Sequence, residues 1–229
     1  DTLSLHDALP IYVGGGAIFF HTFLNDGDAY NLDVNHCHFE ANRAGPFGGG
    51  AIFIFGQGQF AGSKAIVRNS KFVKNSGGLG GAVYASSYET EIRDNSFTGN
   101  HAEAWGGAIA VDNFGDALLF PPLSFENRQV TKIKNCTFNC NKITGVQPAP
   151  FGYPPFFTTP QMLNIFAILA PGLNNINTTG TVDQTIVTGG GAVAVLLAGV
   201  AEIDDCAFSC NNAGLGTGGA ILVGGATGT

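Results

Sequence analysis

The chain repeats one short motif, Gly-Gly-Ala followed by an aliphatic residue, six times in 229 residues. The six copies begin at Gly15, Gly49, Gly80, Gly106, Gly190 and Gly218. A second motif, Phe-x-x-Asn, lies between successive copies and occurs five times, with its phenylalanine at Phe39, Phe72, Phe97, Phe138 and Phe208. Two motifs that alternate in strict order indicate one supersecondary unit repeated along the chain, which is typical of a solenoid.

Each repeat contains short strands separated by bends. An aliphatic residue stands five positions before each of these phenylalanines, and a short polar residue, Asn or Asp in four of the five copies, stands three positions before it. Asn and Asp suit a bend because they tolerate left-handed backbone, and the Asn of the second motif predicts another bend. The Gly-Gly-Ala segments open a third strand. Three short strands per turn predict a parallel β-helix, right-handed because parallel crossovers nearly always are.

The repeat length and the two ends of the chain define the expected domain. The smallest turn, from Gly80 to Trp105, has 26 residues, too few for a propeller blade of about 40. We therefore predict an all-β fold, a right-handed parallel β-helix of about five to six coils, as a single domain over residues 13–229 with a loop insertion at about 144–188. Residues 1–12 share nothing with the repeat and resemble translated adapter sequence, so we expect a non-native leader. Because the sixth Gly-Gly-Ala copy opens a new turn near residue 229, we expect a fragment of a longer protein.

Composition narrows the classes of partner. The net charge of −7 disfavours nucleic acid and anionic lipid, because both require a basic face. Apolar residues make up 45% of the chain and charged residues 12%, which argues against disorder. No apolar stretch is long and uninterrupted enough to span a membrane. We expect no cofactor.

The alternation of Gly-Gly-Ala-Ile with Phe-x-x-Asn resembles the repeats of the chlamydial polymorphic membrane proteins and of related right-handed β-helix surface proteins. The resemblance covers residues 14–225 apart from the insertion. It implies an extracellular, outer membrane-associated passenger domain of an autotransporter that acts as an adhesin or in structural display. The partner would then be a protein or a glycan on another surface, or a second copy of the chain.

The strand that follows each Gly-Gly-Ala motif predicts a contact surface. Alternate residues face opposite sides of a strand, and both sides of this one are apolar. One side collects Ile18, Ile52, Val83, Ile109, Val193 and Ile221, and the other collects Phe19, Phe53, Tyr84, Ala110, Ala194 and Leu222. The outward side should therefore be an apolar strip, which usually marks an interface. We predict that Phe19, Phe53, Tyr84 and Leu222 make contacts; the alternative is that the insertion folds back and covers them.

Cysteines recur at two positions of the repeat. Cys136 and Cys206 stand two residues before the phenylalanine, and Cys140 and Cys210 stand two residues after it. Consecutive copies stack on neighbouring turns about 5 Å apart at Cα, a separation that permits a disulfide. The alternative is a reduced ladder of small apolar side chains in the core. Cys37 faces no cysteine and should stay reduced.

Other candidate sites have simpler interpretations. His36, Cys37 and His38 are adjacent on a strand and cannot converge on a metal, because neighbouring residues point to opposite faces. Asn135 and Asn177 begin Asn-x-Thr triplets and are candidate glycosylation acceptors.

Three alternative functions belong to other classes. A filament subunit would join copies through uncapped ends or the apolar strip. A polysaccharide lyase or hydrolase would need two carboxylates about 5–10 Å apart on one face, and no stacked pair meets this in the sequence. An ice-binding face would need a regular array of threonines, and those of this chain are scattered.

Overall fold

A computed structural model of the chain describes residues 11–13, 15–21, 30–56, 64–86, 88–112, 130–144, 189–196 and 200–224. The described residues are strands, bends and turns, with parallel pairing throughout. The strands form one two-stranded sheet and four larger stacked sheets, and successive strands of the chain pass from one sheet to the next before returning to the first. The chain is therefore a right-handed parallel β-helix, as predicted from the repeat.

The strands of each sheet share one position in the repeat. Sheet I contains β2 (Ile18–His21), β6 (Ile52–Phe55), β10 (Val83–Ser86), β14 (Ile109–Asp112), β18 (Val193–Leu196) and β21 (Ile221–Gly224). Sheet II contains β3 (Asn31–Asn35), β7 (Lys64–Arg68), β11 (Thr90–Arg93), β15 (Val130–Lys134) and β19 (Val200–Asp204). Sheet III contains β4 (His38–Glu40), β8 (Lys71–Val73), β12 (Ser96–Thr98), β16 (Thr137–Asn139) and β20 (Ala207–Ser209). Sheet IV contains β9 (Ser76–Gly77), β13 (His101–Ala102) and β17 (Lys142–Ile143).

We number the coils from the strand of sheet I that opens each one, so that coil 1 runs from β2 to β5 (Ala44–Phe47) and coil 5 from β18 to β20. The short fourth strand was not predicted, because the sequence suggested three strands per turn. It comprises the two residues that follow the Asn of Phe-x-x-Asn, and the stacking of that Asn keeps these residues extended beside the neighbouring coil.

The predicted leader and the predicted insertion lie mostly outside the residues that the structure describes. The strand β1 (Ile11–Val13) pairs in parallel with β5, so the paired part of the chain crosses the expected boundary at residue 13. Residues 1–10 and 145–188 lie outside the described residues, and with them most of the predicted leader and of the predicted insertion.

Columns of identical or similar side chains fill the interior. The phenylalanines of the Phe-x-x-Asn motifs stack face to face along sheet III, with ring centroids 4.8–5.0 Å apart. The inward aliphatic residues of sheet I pack in the same core, as do those of sheet II. Phe72, Phe97 and Phe138 are completely buried. Burying such aromatic rings contributes much of the free energy of folding, because each removes a large apolar area from water.

Left-handed backbone recurs at two bend positions of each coil. The first bend is where the sequence predicted it, at His36, Asn69, Asp94, Asn135 and Asp205, with φ between 49° and 57°. The predicted second bend was displaced by one residue. Left-handed φ values between 52° and 64° occur at the position before the motif Asn, at Ala41, Lys74, Gly99, Cys140 and Cys210. The Asn itself turns inward.

The motif Asn residues form a buried ladder along the helix axis. In the middle of the ladder, the Oδ1 atom of Asn100 accepts hydrogen bonds from the backbone N–H and the side-chain amide of Asn75, at 2.9 and 3.0 Å. Its Nδ2 atom donates to the carbonyl oxygen of Phe72 at 3.0 Å and to Oδ1 of Asn141 at 2.9 Å. Each rung therefore satisfies polar groups of the coils before and after it, which no apolar residue could do.

The second glycine of each Gly-Gly-Ala motif lets the coils approach closely. A Cβ atom at Gly81 would collide with the carbonyl oxygen of Gly107 in the next coil, and Gly16, Gly50, Gly107 and Gly191 face the equivalent carbonyl. At Gly219, the last copy, an added Cβ would meet no atom within 4 Å. The second glycine of the motif is therefore required by the contact between neighbouring coils.

This difference between two equivalent glycines gives a matched test. We expect Gly81→Ala to lower the free energy of unfolding by about 3 kcal/mol, because backbone must move to admit the methyl group. Gly219→Ala should change it by less than about 0.5 kcal/mol. Urea denaturation of both variants beside the parent measures this, and equal stabilities of the two variants would contradict the interpretation.

The asparagine ladder makes a second prediction. Asn100→Ala should lower the free energy of unfolding by about 3 kcal/mol, because it leaves buried donors and acceptors of two neighbouring coils unpaired. The control is Asn139→Ala, which removes an exposed amide one coil further and should cost less than about 1 kcal/mol. The denaturant concentrations at the unfolding midpoint, compared at an unchanged m-value, distinguish the two variants. A cost for Asn100→Ala no greater than that of the control would argue against the ladder.

Candidate contact surface

The outward side of sheet I carries the residues that the sequence placed in a contact surface. Phe19, Phe53 and Tyr84 lie on three successive coils, with ring centroids 5.2 and 4.8 Å apart; the first two rings are tilted against each other and the last two are stacked. Phe53 and Tyr84 are each only 4% exposed, whereas Phe19 is 46% exposed. Leu222, on the last strand of the sheet, is half-buried.

Burial corrects the expectation of an apolar strip open to solvent along the whole sheet. Phe53, Phe55, Leu79, Tyr84 and Ala110 form a second apolar cluster, separate from the core, against which Trp105 packs. The middle of the outward side is thus enclosed within the chain, because every residue of β6, β10, β14 and β18 is buried. Of the four predicted contact residues, only Phe19 and Leu222 remain accessible, and their role stays a prediction.

A buried polar group lies within this apolar cluster. The carboxylate of Asp112 accepts hydrogen bonds from the Tyr84 hydroxyl and the Ser86 hydroxyl, both at 2.5 Å. Burial, and next the negative charge of Asp112, raise the pKa of Tyr84 well above its ordinary value. Sequence reasoning missed this group, although Ser86 and Asp112 hold the same position in consecutive strands and are register partners. It is the one buried carboxylate among the described residues.

The outward side of sheet II carries ion pairs between coils. Arg68 binds the carboxylate of Asp33 through two hydrogen bonds of 3.1 and 2.7 Å, and this lowers the pKa of Asp33. Glu91 accepts a hydrogen bond from Lys64 at 2.7 Å and forms an ion pair with Arg93 at 2.8 Å. The hydrogen bond from Lys64 is the main cause of the lowered pKa of Glu91. These acids are therefore held ionised.

Of the two cysteine pairs that stack on neighbouring coils, one forms a disulfide and the other has free thiols. Cys140 and Cys210, at left-handed bends on the outside of coils 4 and 5, are joined by a disulfide with a Cα–Cα distance of 4.4 Å. Cys136 and Cys206, together with Cys37, have free thiols. The thiols of Cys136 and Cys206 each donate to a carbonyl oxygen two residues earlier, at 3.2 Å. Burial raises the pKa of Cys136 to about 12.

The remaining candidates lie apart from one another. His36 is at the exposed first bend, and His38 lies in β4 with its Nε2 atom 3.8 Å from the Glu40 carboxylate. Within the described ranges, no three His, Cys, Asp or Glu residues come together as a metal site. Asn135 is exposed at its bend, where its amide donates to Asp94 at 2.7 Å, and this bond lowers the pKa of Asp94. Asn177 lies outside the described residues.

Comparison with known families identifies one repeat. Residues 96–112 match the family model of the Chlamydia polymorphic membrane protein repeat. They run from the Phe-x-x-Asn motif of coil 3 to the Gly-Gly-Ala-Ile motif of coil 4, so the match covers one alternation of the two motifs and confirms the resemblance there. The match indicates a family of surface and outer membrane proteins. No match was found among the curated proteins or among the solved structures. The described part of the chain has no helix that could cross a membrane.

The cysteine arrangement makes a third prediction. In the native protein at pH 8, iodoacetamide should leave Cys136 unmodified, because the thiol is 1% exposed and its pKa, raised to about 12, keeps it protonated; only the thiolate reacts. Cys140 and Cys210 should become alkylated only after reduction. Peptide mass spectrometry before and after unfolding in denaturant checks both statements. Rapid native labelling of Cys136, or labelling of Cys140 without reductant, would contradict them.

Proposed function

We propose that this chain is a segment of a β-helical scaffold on a cell surface, where it acts in adhesion or structural display as part of an autotransporter passenger. The observation that supports this most is the division of the repeat between inside and outside. Both motifs that define the repeat are directed at the core or at the neighbouring coil, and the outward positions differ from one coil to the next.

Sheet II gives a clear example of this division. One inward column of this sheet consists of the aliphatic residues Val34, Val67, Ile92, Ile133 and Ile203. The adjacent outward column contains Asn35, Arg68, Arg93, Lys134 and Asp204. A constant interior keeps the backbone regular, so that the outward side chains can vary without loss of the fold. Such a scaffold suits display, since recognition then depends on the outward residues alone.

The proposed partner is a protein or a glycan on another surface. Phe19, which is 46% exposed, and the half-buried Leu222 are the predicted apolar contacts that remain accessible. Exposed aromatic and aliphatic side chains of this kind anchor many interfaces, because their burial removes apolar area from water.

The glycan-cleaving alternative has less support. A glycosidase of the usual kind needs one carboxylic acid whose pKa is raised, so that it holds a proton to donate. Asp33, Glu91 and Asp94 on the outward side have lowered pKa values, because each accepts hydrogen bonds from a cation or an amide. They are suited to holding the coils together and not to proton transfer.

Bead adhesion tests the proposal. Beads coated with the chain should bind cultured epithelial cells above the level of albumin-coated beads. Phe19→Ser with Leu222→Ser should lower binding about tenfold if these residues anchor the interface. The control is Leu215→Ser, which removes another apolar side chain that is 87% exposed. Binding no higher than that of albumin would contradict adhesion, and equal binding by all variants would contradict the predicted contacts.

A further inference from the structure

The sign of the charge alternates from coil to coil on the outward face of sheet II. Among the described residues of this face, coil 1 contributes Asp33 and coil 2 contributes Lys64 and Arg68. Coil 3 contributes Glu89 and Glu91 with the single cation Arg93, coil 4 contributes Lys132 and Lys134, and coil 5 contributes Glu202 and Asp204. We call the charged residues that one coil contributes to this face a band. From coil 1 to coil 5, the net charge of the bands is negative, positive, negative, positive and negative.

The bands are in register, since their members are partners in neighbouring parallel strands. Lys132 is the register partner of Glu91 in coil 3 and of Glu202 in coil 5. Lys134 is the register partner of Arg93 in coil 3 and of Asp204 in coil 5. Neighbouring coils lie about 4.8 Å apart, so each band is a thin stripe across the rod. The side chains that form the bands are partly or fully exposed.

Coils 1 to 3 neutralise part of their charge within the chain, whereas coils 4 and 5 do not. Arg68 pairs with Asp33, and Lys64 and Arg93 pair with Glu91. No ion pair within 4 Å joins Lys132, Lys134, Glu202 or Asp204 to another described residue. In the described part of the chain, two bands of opposite sign thus carry charge that no ion pair neutralises, and an external partner with matching bands could neutralise it.

We propose that the outward face of sheet II is an interface for a second copy of this chain, which lies antiparallel beside the first with a shift of one coil. In that arrangement coil 3 faces coil 4 of the other copy, and coil 2 faces coil 5. The acidic bands of coils 3 and 5 then meet the basic bands of coils 4 and 2, in four pairs related by a twofold axis, and coil 1 lies beyond the matched coils. The interface is isologous and closes as a dimer.

Other lateral arrangements match less well. An antiparallel pair without the shift sets coil 1 against coil 5 and coil 2 against coil 4, so bands of like sign face each other. A parallel pair in register also opposes like signs. A parallel pair shifted by one coil also matches the signs, but its interface is heterologous, so it would grow into open assemblies and not stop at two.

The dimer should be weak and sensitive to salt. The face is small and polar, and exposed ion pairs contribute little each, so we expect a Kd on the order of 0.1 mM. The net charge of −7 repels a second copy at long range, and this repulsion is screened at about 0.1 M salt, where the Debye length is about 10 Å. At about 0.5 M salt the contacts between bands weaken as well.

Sedimentation velocity of the full chain over a concentration series at 0.1 and 0.5 M salt is the first experiment. We expect a monomer–dimer equilibrium at the lower salt concentration and a shift to monomer at the higher one. Only monomer at all concentrations, dimers that salt does not weaken, or assemblies that grow beyond two chains would overturn the proposal.

Charge variants taken from neighbouring coils give the sharper experiment. The first variant combines Lys132→Glu and Lys134→Asp, the residues that coil 5 carries at these positions. The second combines Glu89→Lys and Asp94→Asn, the residues that coil 2 carries at these positions. Alone, each variant opposes bands of like sign between coils 3 and 4, and its dimer should be about tenfold weaker.

A mixture of the two variants should form a heterodimer at least as readily as the parent forms its dimer, because both contacts between coils 3 and 4 again join opposite signs. The control combines Arg43→Glu with Lys142→Glu on the side of sheet IV, which makes the same change in net charge as the first variant and should leave the parent affinity within about threefold. Circular dichroism confirms folding of each variant. Failure of the mixture to associate, when both variants are folded, would overturn the antiparallel arrangement.

Discussion

The stacking of each coil on the next in exact register is the constraint on which the rest of the structure depends. A parallel β-helix brings equivalent residues of successive coils about 4.8 Å apart, so each position must tolerate a copy of itself above and below. Phenylalanine does this by face-to-face stacking, and asparagine by donating to one neighbour and accepting from the other. Glycine does it by presenting no side chain to the adjoining carbonyl oxygen. The repeated motifs are the residue types that meet this condition.

The same constraint explains how much could be predicted from the sequence. Residues that face their own copies must recur, so the repeat revealed the fold, the phenylalanine column and the first bend. The second bend was placed one residue late, because the inward Asn and the left-handed residue before it are neighbours. That bend is occupied by Ala41, Lys74 and Cys140 as well as by Gly99, so residue type gave no signal for its position.

The outward side was harder to predict, since it depends on contacts between positions far apart in the chain. The alternation of side chains along a strand predicted correctly which residues of sheet I share a side. It carries no information on what lies against that side. The sequence therefore left both outcomes open for Phe53 and Tyr84, exposure at a contact surface or burial beneath another segment. The Asp112 group is similar: a lone acid in an apolar strand is recognised as a hydrogen-bonded centre only when Tyr84 and Ser86 are aligned with it. The two cysteine pairs had equal spacing and differ because one pair is turned outward at a bend.

The disulfide between Cys140 and Cys210 has a mechanical consequence. The two residues are 70 positions apart in sequence, and a chain of that length, fully extended, would span roughly 230 Å. If the rod were pulled by its two ends, coils would peel away one at a time, but the covalent link would carry the force past this whole stretch. The contour length that tension could release is reduced accordingly, and coils 4 and 5 would stay tethered while the coils before them unravel.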